Sequence, residues 1–516
     1  MVTRTFERNK LVRSGKDPAL FALVAENWEV FIIAIFKGSD MRDKEKPPTA
    51  RVTVTRRVFV SGIFAIALVG LGSPGSSRAA SDGWGTYLKP FGANSPWNSR
   101  PVGTKLDTQV IPLSQFPPAF GEGAFSTGVF LGQESDGPVT VTGLAGTRGL
   151  YDTDAENFHD ITIAHWPSNT TAATGSDGHA DVVDPIKGIV YSFFQLRNDN
   201  GQWRANSWAW TRIDGRGWGD PAHYSQGSRA AAVAPTGGLI RKHEINDGDS
   251  MYRHALSMSL TSSGLSPAPA YVFPATSADS NAATSHTGLI PEGALMMLPY
   301  AFDTRQISNL ALRKVAQTLK TYGAYVVDRN SGVPFIIYAE NGSGLGALNS
   351  AVAADMEKIR LSLRRASSAR AWLDGDNNPS ITEINFNILS MRGAWATESG
   401  TGVGHYETLQ QALIIPEAAT ETVLVNFTNR GVTPLLWTAP IAGAMYRLTA
   451  VSTGDAKLRL RLYDPVSSAI LYDSGALPNG ESTTFPWPSA NAKLILNAIS
   501  STGQAATVSG ELLRVN

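Results

Sequence analysis

The fold class of this chain is decided by residues 178–196, which read Gly178-His-Ala-Asp-Val-Val-Asp-Pro-Ile-Lys-Gly188-Ile-Val-Tyr-Ser-Phe-Phe-Gln-Leu196. Two runs rich in β-branched and aromatic residues flank the turn sequence Asp184–Gly188. Such runs, separated by a turn that contains proline and glycine, predict a β-hairpin. We expect the Asp184 carboxylate to bond to the backbone of this turn, as aspartates in turns commonly do.

Strand signals of the same kind dominate residues 139–274, and helical signals come later. Thr304–Tyr322 carries apolar residues at helical spacing, and Gly323 occupies the position of a C-terminal cap. A second helix is predicted over 349–368. The first domain is therefore predicted to be α+β and β-dominated, a large β-sandwich-like domain with a few helices. Its strands are predicted at 139–144, 160–165, 178–183, 188–196, 203–213, 254–260, 271–273, 324–328 and 334–339.

The last 120 residues show a different pattern of short alternating strands, with turns at about ten-residue spacing. This pattern predicts a smaller all-β sandwich after the first domain. In an exported protein, such a module suggests carbohydrate binding, and a stabilising or interaction sandwich without a ligand is the alternative. The strands are predicted at 421–428, 444–453, 457–463, 469–473, 492–498 and 507–514.

A twin-arginine export signal is predicted near the start of the chain. Thr55-Arg-Arg-Val-Phe59 precedes an apolar run, Ile63–Leu71, and small residues stand before Ser81. These are the parts of such a secretory signal. The apolar run is short for a membrane span, and an uncleaved anchor is the alternative. We divide the chain into 1–40, a leader or misassigned start; 41–80, the signal peptide; 81–395, a β-rich catalytic domain; and 396–516, the C-terminal sandwich and a candidate carbohydrate-binding module.

Composition narrows the classes of function. The 516 residues include no cysteine, which excludes disulfides, thiolate metal sites and cysteine nucleophiles. Basic and acidic residues both number 44, but 13 basic and 7 acidic residues lie within the first 80, so the remaining chain has a net charge of −6. Nucleic acid and anionic membranes are therefore disfavoured as partners.

Candidate catalytic residues come from two places in the first domain. His179 and Asp181 are two residues apart on a predicted strand and so share a face, where an imidazole can orient a carboxylate. A solvated polar face is the alternative. Glu244 lies in an acidic loop ten residues before His254. His254 shares a face of its predicted strand with Leu256, Met258 and Leu260, so a hydrogen-bonded core histidine is the alternative to a catalytic one.

Tryptophans and an arginine are the candidate substrate-binding residues. Exposed indoles stack on sugar rings, whereas buried indoles fill a core, and the density of tryptophan in one stretch predicts at least one in each role. An arginine could neutralise the carboxylate of a uronic acid. The candidates are Trp203, Trp208, Trp210, Trp218 and Arg241.

Several catalytic motifs are missing from the sequence. It contains no Gly-x-Ser-x-Gly elbow, phosphate loop, His-Glu-x-x-His or dinucleotide fingerprint. Serine hydrolases, nucleotide-dependent enzymes and zinc proteases are therefore disfavoured. No cofactor and no metal site are predicted, although the acidic loops 243–249 and 374–378 leave calcium binding open. Neither loop has the full spacing of a calcium-binding loop.

Residues 178–340 resemble a largely uncharacterised family of secreted bacterial proteins. The resemblance rests on Gly178-His-Ala-Asp-Val-Val-Asp184, on Glu244 leading into His254-Ala-Leu, on Tyr271-Val-Phe-Pro-Ala275, and on the Tyr-Gly and Asp of residues 319–328. It allows a carbohydrate-active role and favours His179, Glu244 and His254 over their neighbours. Members often have Tyr-Glu where this chain has Tyr191-Ser192, so a role for that glutamate would not carry over.

These observations predict an exported polysaccharide-degrading enzyme, with glycoside hydrolase favoured over uronate lyase. Hydrolysis requires two carboxyl groups that flank the bond, and Asp181 and Glu244 are the predicted pair. In a lyase, His179 or His254 would instead abstract a proton beside the uronate carboxylate. The alternative is a non-catalytic glycan-binding surface or matrix protein. The expected partners are a polysaccharide and, in transit, the twin-arginine export machinery.

Overall fold

Short strands are the main regular secondary structure of the described residues, as the sequence predicts. The computed structural model describes residues 83–380, 385–393, 395–397, 402–427, 435–500 and 504–515, which all belong to one compact unit. The predicted leader and export signal, residues 1–80, lie outside the described residues. Within the described residues, no helix is both long enough and apolar enough to cross a membrane.

Residues 83–380 contain twenty described strands and three α-helices. The strands are β1 (Arg100–Val102), β2 (Lys105–Leu106), β3 (Ala119–Gly121), β4 (Val129–Leu131), β5 (Val139–Gly143), β6 (Tyr151–Asp152), β7 (Asn157–Phe158), β8 (Ile161–Ile163), β9 (Ala180–Asp184), β10 (Ile189–Phe194), β11 (Arg197–Asp199), β12 (Gln202–Ala205), β13 (Ser207–Arg212), β14 (Leu256–Thr261), β15 (Leu295–Met297), β16 (Ala324–Asn330), β17 (Phe335–Tyr338), β18 (Arg364–Ser368), β19 (Ala371–Leu373) and β20 (Pro379–Ser380). The helices are α1 (Ala282–Ser285), α2 (Leu310–Thr321) and α3 (Asn349–Ser362), and 3-10 turns occur at Lys242–Glu244, Thr304–Gln306 and Gly346–Leu348.

These strands form four sheets. A six-stranded sheet has the order β4-β9-β10-β13-β6-β7, and a seven-stranded sheet has the order β2-β18-β15-β16-β14-β17-β3. Smaller sheets have the orders β11-β12-β5-β8 and β1-β19-β20. The predicted hairpin is confirmed, since β9 and β10 pair antiparallel. Asp184 Oδ1 accepts hydrogen bonds from the backbone of Ile186 and Lys187, as expected for its turn.

The six-stranded sheet lies between two apolar cores. Ala180 and Val182 of β9 contribute to one core together with residues of the four-stranded sheet. Val183 contributes to the other core, which is shared with the seven-stranded sheet. Because side chains alternate along a strand, Asp181 points to the same side as Val183. Helices α2 and α3 cover the remaining face of the seven-stranded sheet, through a third core. The predicted α+β, β-dominated sandwich-like fold is confirmed.

Four predicted elements differ from the structure, and one of them, the predicted helix 304–322, begins only at Leu310, after a separate 3-10 turn at Thr304–Gln306. The predicted strand 203–213 is interrupted at Asn206, and its halves, β12 and β13, belong to different sheets. The predicted helix 349–368 ends at Ser362, because Leu363 adopts an extended backbone and β18 then pairs with β15. This tertiary pairing overrides helix propensity. Residues 271–273 do not form a strand, and Tyr271 makes only an isolated bridge to Glu292.

The C-terminal part is a single large sheet that curls around its own core. Its order is β27-β26-β30-β24-β21-β22-β23-β31-β25-β29, and β28 pairs with β26. Both halves of the sheet contribute to one apolar core, which also includes Leu389 and Met391. The strands are β21 (Trp395–Ala396), β22 (Gly402–Glu407), β23 (Ala412–Ile415), β24 (Thr422–Phe427), β25 (Met445–Ser452), β26 (Lys457–Tyr463), β27 (Ile470–Asp473), β28 (Leu477–Pro478), β29 (Ser482–Pro486), β30 (Lys493–Ser500) and β31 (Ala506–Val515), and a 3-10 turn spans Thr408–Gln410.

Candidate functional site

A cavity of about 300 Å³ lies between two segments of the first part of the chain. One wall comes from residues 84–98, here called the lead-in segment, and the other comes from residues 236–254. We call it the Glu244 cavity. Its volume is at the small end of the range for ligand sites. Its aromatic lining comes from Trp84, Phe91 and Trp97, and its polar lining from Lys89, Asn98, Thr236, Arg241, His243, Glu244, Asp247, Asp249, Arg253 and His254.

Local backbone contacts position Glu244 and His254. Glu244 closes a 3-10 turn, and its Oε2 accepts the backbone N–H of Arg241 at 2.8 Å. His254 comes just before β14, where the backbone N–H of Ala255 donates to the carbonyl of Trp97. The two side chains meet with His254 Nε2 at 3.1 Å from Glu244 Oε1, and each is about 15% exposed. The turn and the strand thus hold a carboxylate against an imidazole at the cavity wall.

This contact is an ion pair. Burial opposes the charge on each group, but their mutual attraction and hydrogen bond outweigh burial, so the pKa of His254 is raised and the pKa of Glu244 is lowered. His254 Nδ1 also faces an acceptor, the carbonyl of Ala255 at 2.8 Å. Since both ring nitrogens face oxygen atoms, the doubly protonated imidazolium satisfies both.

The charged groups around this pair are themselves paired. Arg241 donates from Nε to Glu340 Oε2 at 2.9 Å and from a terminal nitrogen to the carbonyl of Tyr87, and both side chains of this ion pair are buried. Asp247 contacts the Lys314 ammonium, and Asp249 pairs with Arg253. Asp247 and Asp249 are therefore two further carboxylates that line the same cavity as Glu244.

Asp181 lies directly behind the cavity wall. Its Oδ2 accepts hydrogen bonds from the backbone N–H and the hydroxyl of Thr236, which lines the cavity. Burial raises the pKa of Asp181 to about 6, although the bonds from Thr236 oppose this shift. Of the predicted pair, Glu244 thus lines the cavity, whereas Asp181 contacts the lining residue Thr236 and is not itself part of the lining.

His179 is placed elsewhere, in the buried core. It is 2% exposed, and its Nδ1 lies 3.2 Å from Ser228 Oγ and 3.3 Å from the carbonyl of Phe193. Burial, together with the nearby Arg229 guanidinium, lowers the pKa of His179 to about 3. The expected shared role with Asp181 is corrected, because the hydrogen bonds of the two side chains go to different partners.

The predicted sugar-stacking tryptophans are corrected to mainly structural ones. Trp208 and Trp218 are 0% exposed and Trp210 is 5% exposed, so these indoles fill the cores beside the six-stranded sheet. Trp218 stacks on Trp97 with ring centroids 5.2 Å apart. Trp203 is half-buried and lines a separate shallow cavity. The indoles at the Glu244 cavity are instead Trp84 and Trp97.

From the sequence, residues 81–118 are predicted to be an extended lead-in over the domain surface, and Ser95-Pro-Trp-Asn98 is part of the resemblance to the secreted family, but the binding role of the lead-in segment was not predicted. Trp84 is half-buried and donates from Nε1 to Asp376 Oδ1 at 2.8 Å. Phe91 and Trp97 are almost fully buried. The Asn98 amide donates to backbone carbonyls of the same segment. The signal that could have identified it is the pair of tryptophans in a stretch rich in glycine, proline and asparagine.

Metal-binding potential lies outside this cavity. Among the described residues, one group of three ligand-type side chains converges, formed by Asp279, His286 and Glu292. The acidic loop at 374–378 is instead held by its own turn, since Asp374 Oδ1 accepts the backbone N–H groups of Asp376 and Asn378. The group of Asp279, His286 and Glu292 was not predicted, because the spacing of these residues in the sequence matches no metal-binding motif.

Comparisons with known proteins give no family. No protein-family model matches this chain, and no curated protein matches it. Accessory secretory proteins 1, 2 and 3 of Streptococcus pneumoniae are 13% identical over 26% of this chain and 99% of that chain, with a TM-score of 0.19. TmCBM61 in complex with β-1,4-galactotriose is 7% identical over 25% of this chain and 91% of that chain, with a TM-score of 0.17.

A third solved structure is similarly distant. The N-terminal endo-1,4-β-D-xylanase 10B modules of Clostridium thermocellum, complexed with xylohexaose, are 11% identical over 26% of this chain and 28% of that chain, with a TM-score of 0.15. Likenesses this weak carry no functional argument. The resemblance to a secreted bacterial family stays a prediction.

We expect the ion pair of Glu244 and His254 to stabilise the fold most between about pH 4.5 and 6.5, the ordinary pKa values of the two groups. The raised pKa of His254 contributes stability that is complete below 6.5 and is lost as pH rises through the folded-state pKa. The lowered pKa of Glu244 contributes stability that is complete above 4.5 and is lost as pH falls through the folded-state pKa.

Thermal unfolding of a His254→Gln variant checks this. At pH 5.5 the variant should be about 1.5–3 kcal/mol less stable than wild type, and the difference should shrink at pH 9. His405→Gln, at an exposed position in β22, is the matched control and should change little at either pH. An equal loss at both pH values would contradict the ion pair.

Proposed function

We propose that this chain is an exported polysaccharide-degrading enzyme whose active site is the Glu244 cavity, with glycoside hydrolysis favoured. The observation that carries the proposal is the contact of Glu244 with His254, 3.1 Å apart and both partly exposed, in a cavity that indole rings also line. Membership of the secreted bacterial family that residues 178–340 resemble is part of the same proposal.

Glu244 is assigned as the ionised carboxylate of the reaction. A carboxylate with a lowered pKa is deprotonated at neutral pH, which suits a general base or a nucleophile and not a general acid. His254 holds it by donating from Nε2. Hydrolysis also requires a carboxyl group that protonates the leaving oxygen. We assign this role to Asp247, because the hydrogen bond from Arg253 lowers the pKa of Asp249, which excludes it by the argument used for Glu244, and because Asp181 is not part of the lining.

The substrate class is inferred from the indoles. Sugar rings present C–H groups that pack against the face of an aromatic ring, and tryptophan offers the largest such face. Trp84 is half-buried, and its hydrogen bond to Asp376 fixes the ring orientation. A sugar ring placed against Trp84 would lie in the cavity that Glu244 lines. The C-terminal sandwich is proposed to hold the polysaccharide.

Elimination on a uronate is the second candidate reaction, and one observation favours it. Two guanidinium groups, from Arg241 and Arg253, line the cavity together with His254. In a lyase, the imidazole would remove the proton beside a carboxylate that such a group neutralises. Both guanidinium groups are engaged with Glu340 and Asp249, however, so neutralising a substrate would require breaking an existing pair. Hydrolysis is therefore favoured.

A panel of neutral and uronic-acid polysaccharides tests the proposal. Reducing ends are followed together with ultraviolet absorbance from the unsaturated product of elimination. We expect new reducing ends without a rise in absorbance. Both signals together would replace hydrolysis by elimination. Binding to a polysaccharide without either signal would overturn the proposal in favour of a non-catalytic glycan-binding protein.

A further inference from the structure

Three ligand-type side chains converge at a place that the proposed function does not use. Asp279 and His286 flank α1, and Glu292 lies in the segment before β15. One ligand atom from each lies within 4.8 Å of the others, and His286 Nε2 is 3.3 Å from Asp279 Oδ2. None of the three lines the Glu244 cavity. The group is therefore separate from the proposed active site.

Backbone contacts hold the three residues in place. The N–H of His286 donates to the carbonyl of Ala282 within α1. The N–H of Glu292 donates to Ala270, and its carbonyl accepts from Val272. The backbone N–H of Asp279 donates to Glu292 Oε1 at 3.2 Å, which ties the Glu292 side chain to the backbone of Asp279. Ligand positions supported in this way need little reorganisation to bind an ion.

His286 is oriented as a metal ligand would be. Its Nδ1 lies 3.3 Å from the carbonyl of Ser266, which only an N–H can satisfy. A histidine that donates from Nδ1 to a backbone carbonyl directs the lone pair of Nε2 outward, and metal-binding histidines are usually held this way. The imidazole is also almost completely buried, at 3% exposure.

Glu292 supplies the second, independent observation. It is 0% exposed, and its Oε2 has no hydrogen-bond partner among the described residues. A buried carboxylate oxygen without a partner is costly. A bound cation would give Glu292 Oε2 the partner that the described residues do not provide.

We propose that Asp279, His286 and Glu292 bind a divalent transition-metal ion of the Zn²⁺ type. One imidazole nitrogen with two carboxylates suits such an ion, whereas Ca²⁺ and Mg²⁺ prefer oxygen ligands alone. Ligand atoms about 2.1 Å from a tetrahedral ion lie about 3.4 Å apart. Since the three ligand atoms lie within 4.8 Å of one another, the side chains need to close by up to about 1.4 Å. Three protein ligands leave a fourth position open, on the partly exposed side of Asp279.

The competing arrangement needs no metal. A protonated His286 would pair with Asp279, which also lies 3.5 Å from the Arg329 guanidinium. That arrangement satisfies Asp279 but gives no partner to Glu292 Oε2. A metal ion contacts all three side chains at once, and this is why we favour it.

Calorimetric titration of the untagged protein, stripped of metal with a chelator, separates the two arrangements. We expect one Zn²⁺ ion per chain, weaker binding of Ca²⁺ and Mg²⁺, and a higher melting temperature with Zn²⁺, since an ion that binds only the folded state stabilises it. Co²⁺ in the same site should give the visible absorbance of a four-coordinate ion. Absence of Zn²⁺ binding would overturn the proposal.

Variants show whether the bound ion is at this site. Glu292→Gln keeps the size of the side chain and should weaken Zn²⁺ binding at least about tenfold. Asp279→Asn should do the same, and because Asp279 is partly exposed it serves if Glu292→Gln does not fold. His405→Gln, at an exposed histidine elsewhere, should bind Zn²⁺ like wild type. Equal affinity in all three variants would mean that Zn²⁺ binds elsewhere and would contradict the assignment.

Discussion

Replacing Glu244 by glutamine is expected to lower kcat/KM on the susceptible polysaccharide by about 10²–10⁴-fold, with the fold retained. Glutamine keeps the shape of the side chain and can still bond to the Arg241 N–H through its amide oxygen, but it cannot take up a proton. Initial rates of reducing-end release measure the change. Glu134→Gln, at an exposed glutamate away from the cavity, is the matched control and should retain the wild-type rate.

The His254→Gln variant tests whether His254 positions Glu244 for the reaction or only stabilises the fold. His254 is the main group that lowers the pKa of Glu244, so its removal should shift the acid limb of the pH–rate profile to higher pH. A variant that only lost packing would show a lower rate with an unmoved profile. An unmoved profile, or an active Glu244→Gln variant, would contradict the assignment of Glu244 as the ionised catalytic carboxylate.

Replacing Trp218 by alanine is expected to lower the free energy of unfolding by about 3–5 kcal/mol. Trp218 is fully buried, stacks on Trp97, and packs edge-on against Tyr325 at 5.5 Å. Its Nε1 donates to the carbonyl of Ala231, which would also lose its partner. The measurement is chemical denaturation of the variant and the wild type.

Trp84→Ala is the matched comparison for Trp218→Ala. Trp84 is half-buried at the cavity wall, so its removal should change stability little and should raise KM by about two- to tenfold, in line with the modest energy of aromatic stacking. In the reverse result, Trp218→Ala would be as stable as wild type but would bind substrate more weakly. That result would support the substrate-binding role predicted from the sequence for Trp218 and would contradict its burial in the core.

Local patterns were sufficient to predict much of the fold. The hairpin of β9 and β10 was predictable because its strands, its turn and the Asp184 carboxylate are close in sequence. Six of the eleven described C-terminal strands were predicted to within about two residues for the same reason, and β26 matches its predicted range at both ends, whereas β21, β22, β23, β28 and β29 were not predicted. The alternation of apolar and polar residues along a strand spans only a few neighbouring residues, so it can be recognised without knowledge of the tertiary contacts.

Burial could not be predicted in the same way. Alternation places Trp208 and Trp210 on one face of β13, but whether another layer covers that face depends on distant segments. The end of α3 has the same cause, since β18 pairs with β15 on one side and with β2 on the other. Residues 364–368 have no local feature that reports this partner, and the prediction therefore extended the helix.

The candidate site was predictable only in part. Glu244 and His254 were singled out from an acidic loop and a strand, and the structure brings them together. Asp181 was predicted to be part of the site, but it contacts the lining residue Thr236 and does not line the cavity itself, which the sequence alone cannot show. The group of Asp279, His286 and Glu292 was missed, since separations of seven and six residues match no ligand motif.

The assignment of the Glu244 cavity as the active site is tested most directly by a crystal structure of the Glu244→Gln variant with an uncleaved oligosaccharide of the susceptible polysaccharide. We expect a sugar ring in the Glu244 cavity, packed against Trp84, with an oxygen atom within about 3.2 Å of residue 244 or of His254. An oligosaccharide bound only on the C-terminal sandwich, or elsewhere on the surface, would contradict it.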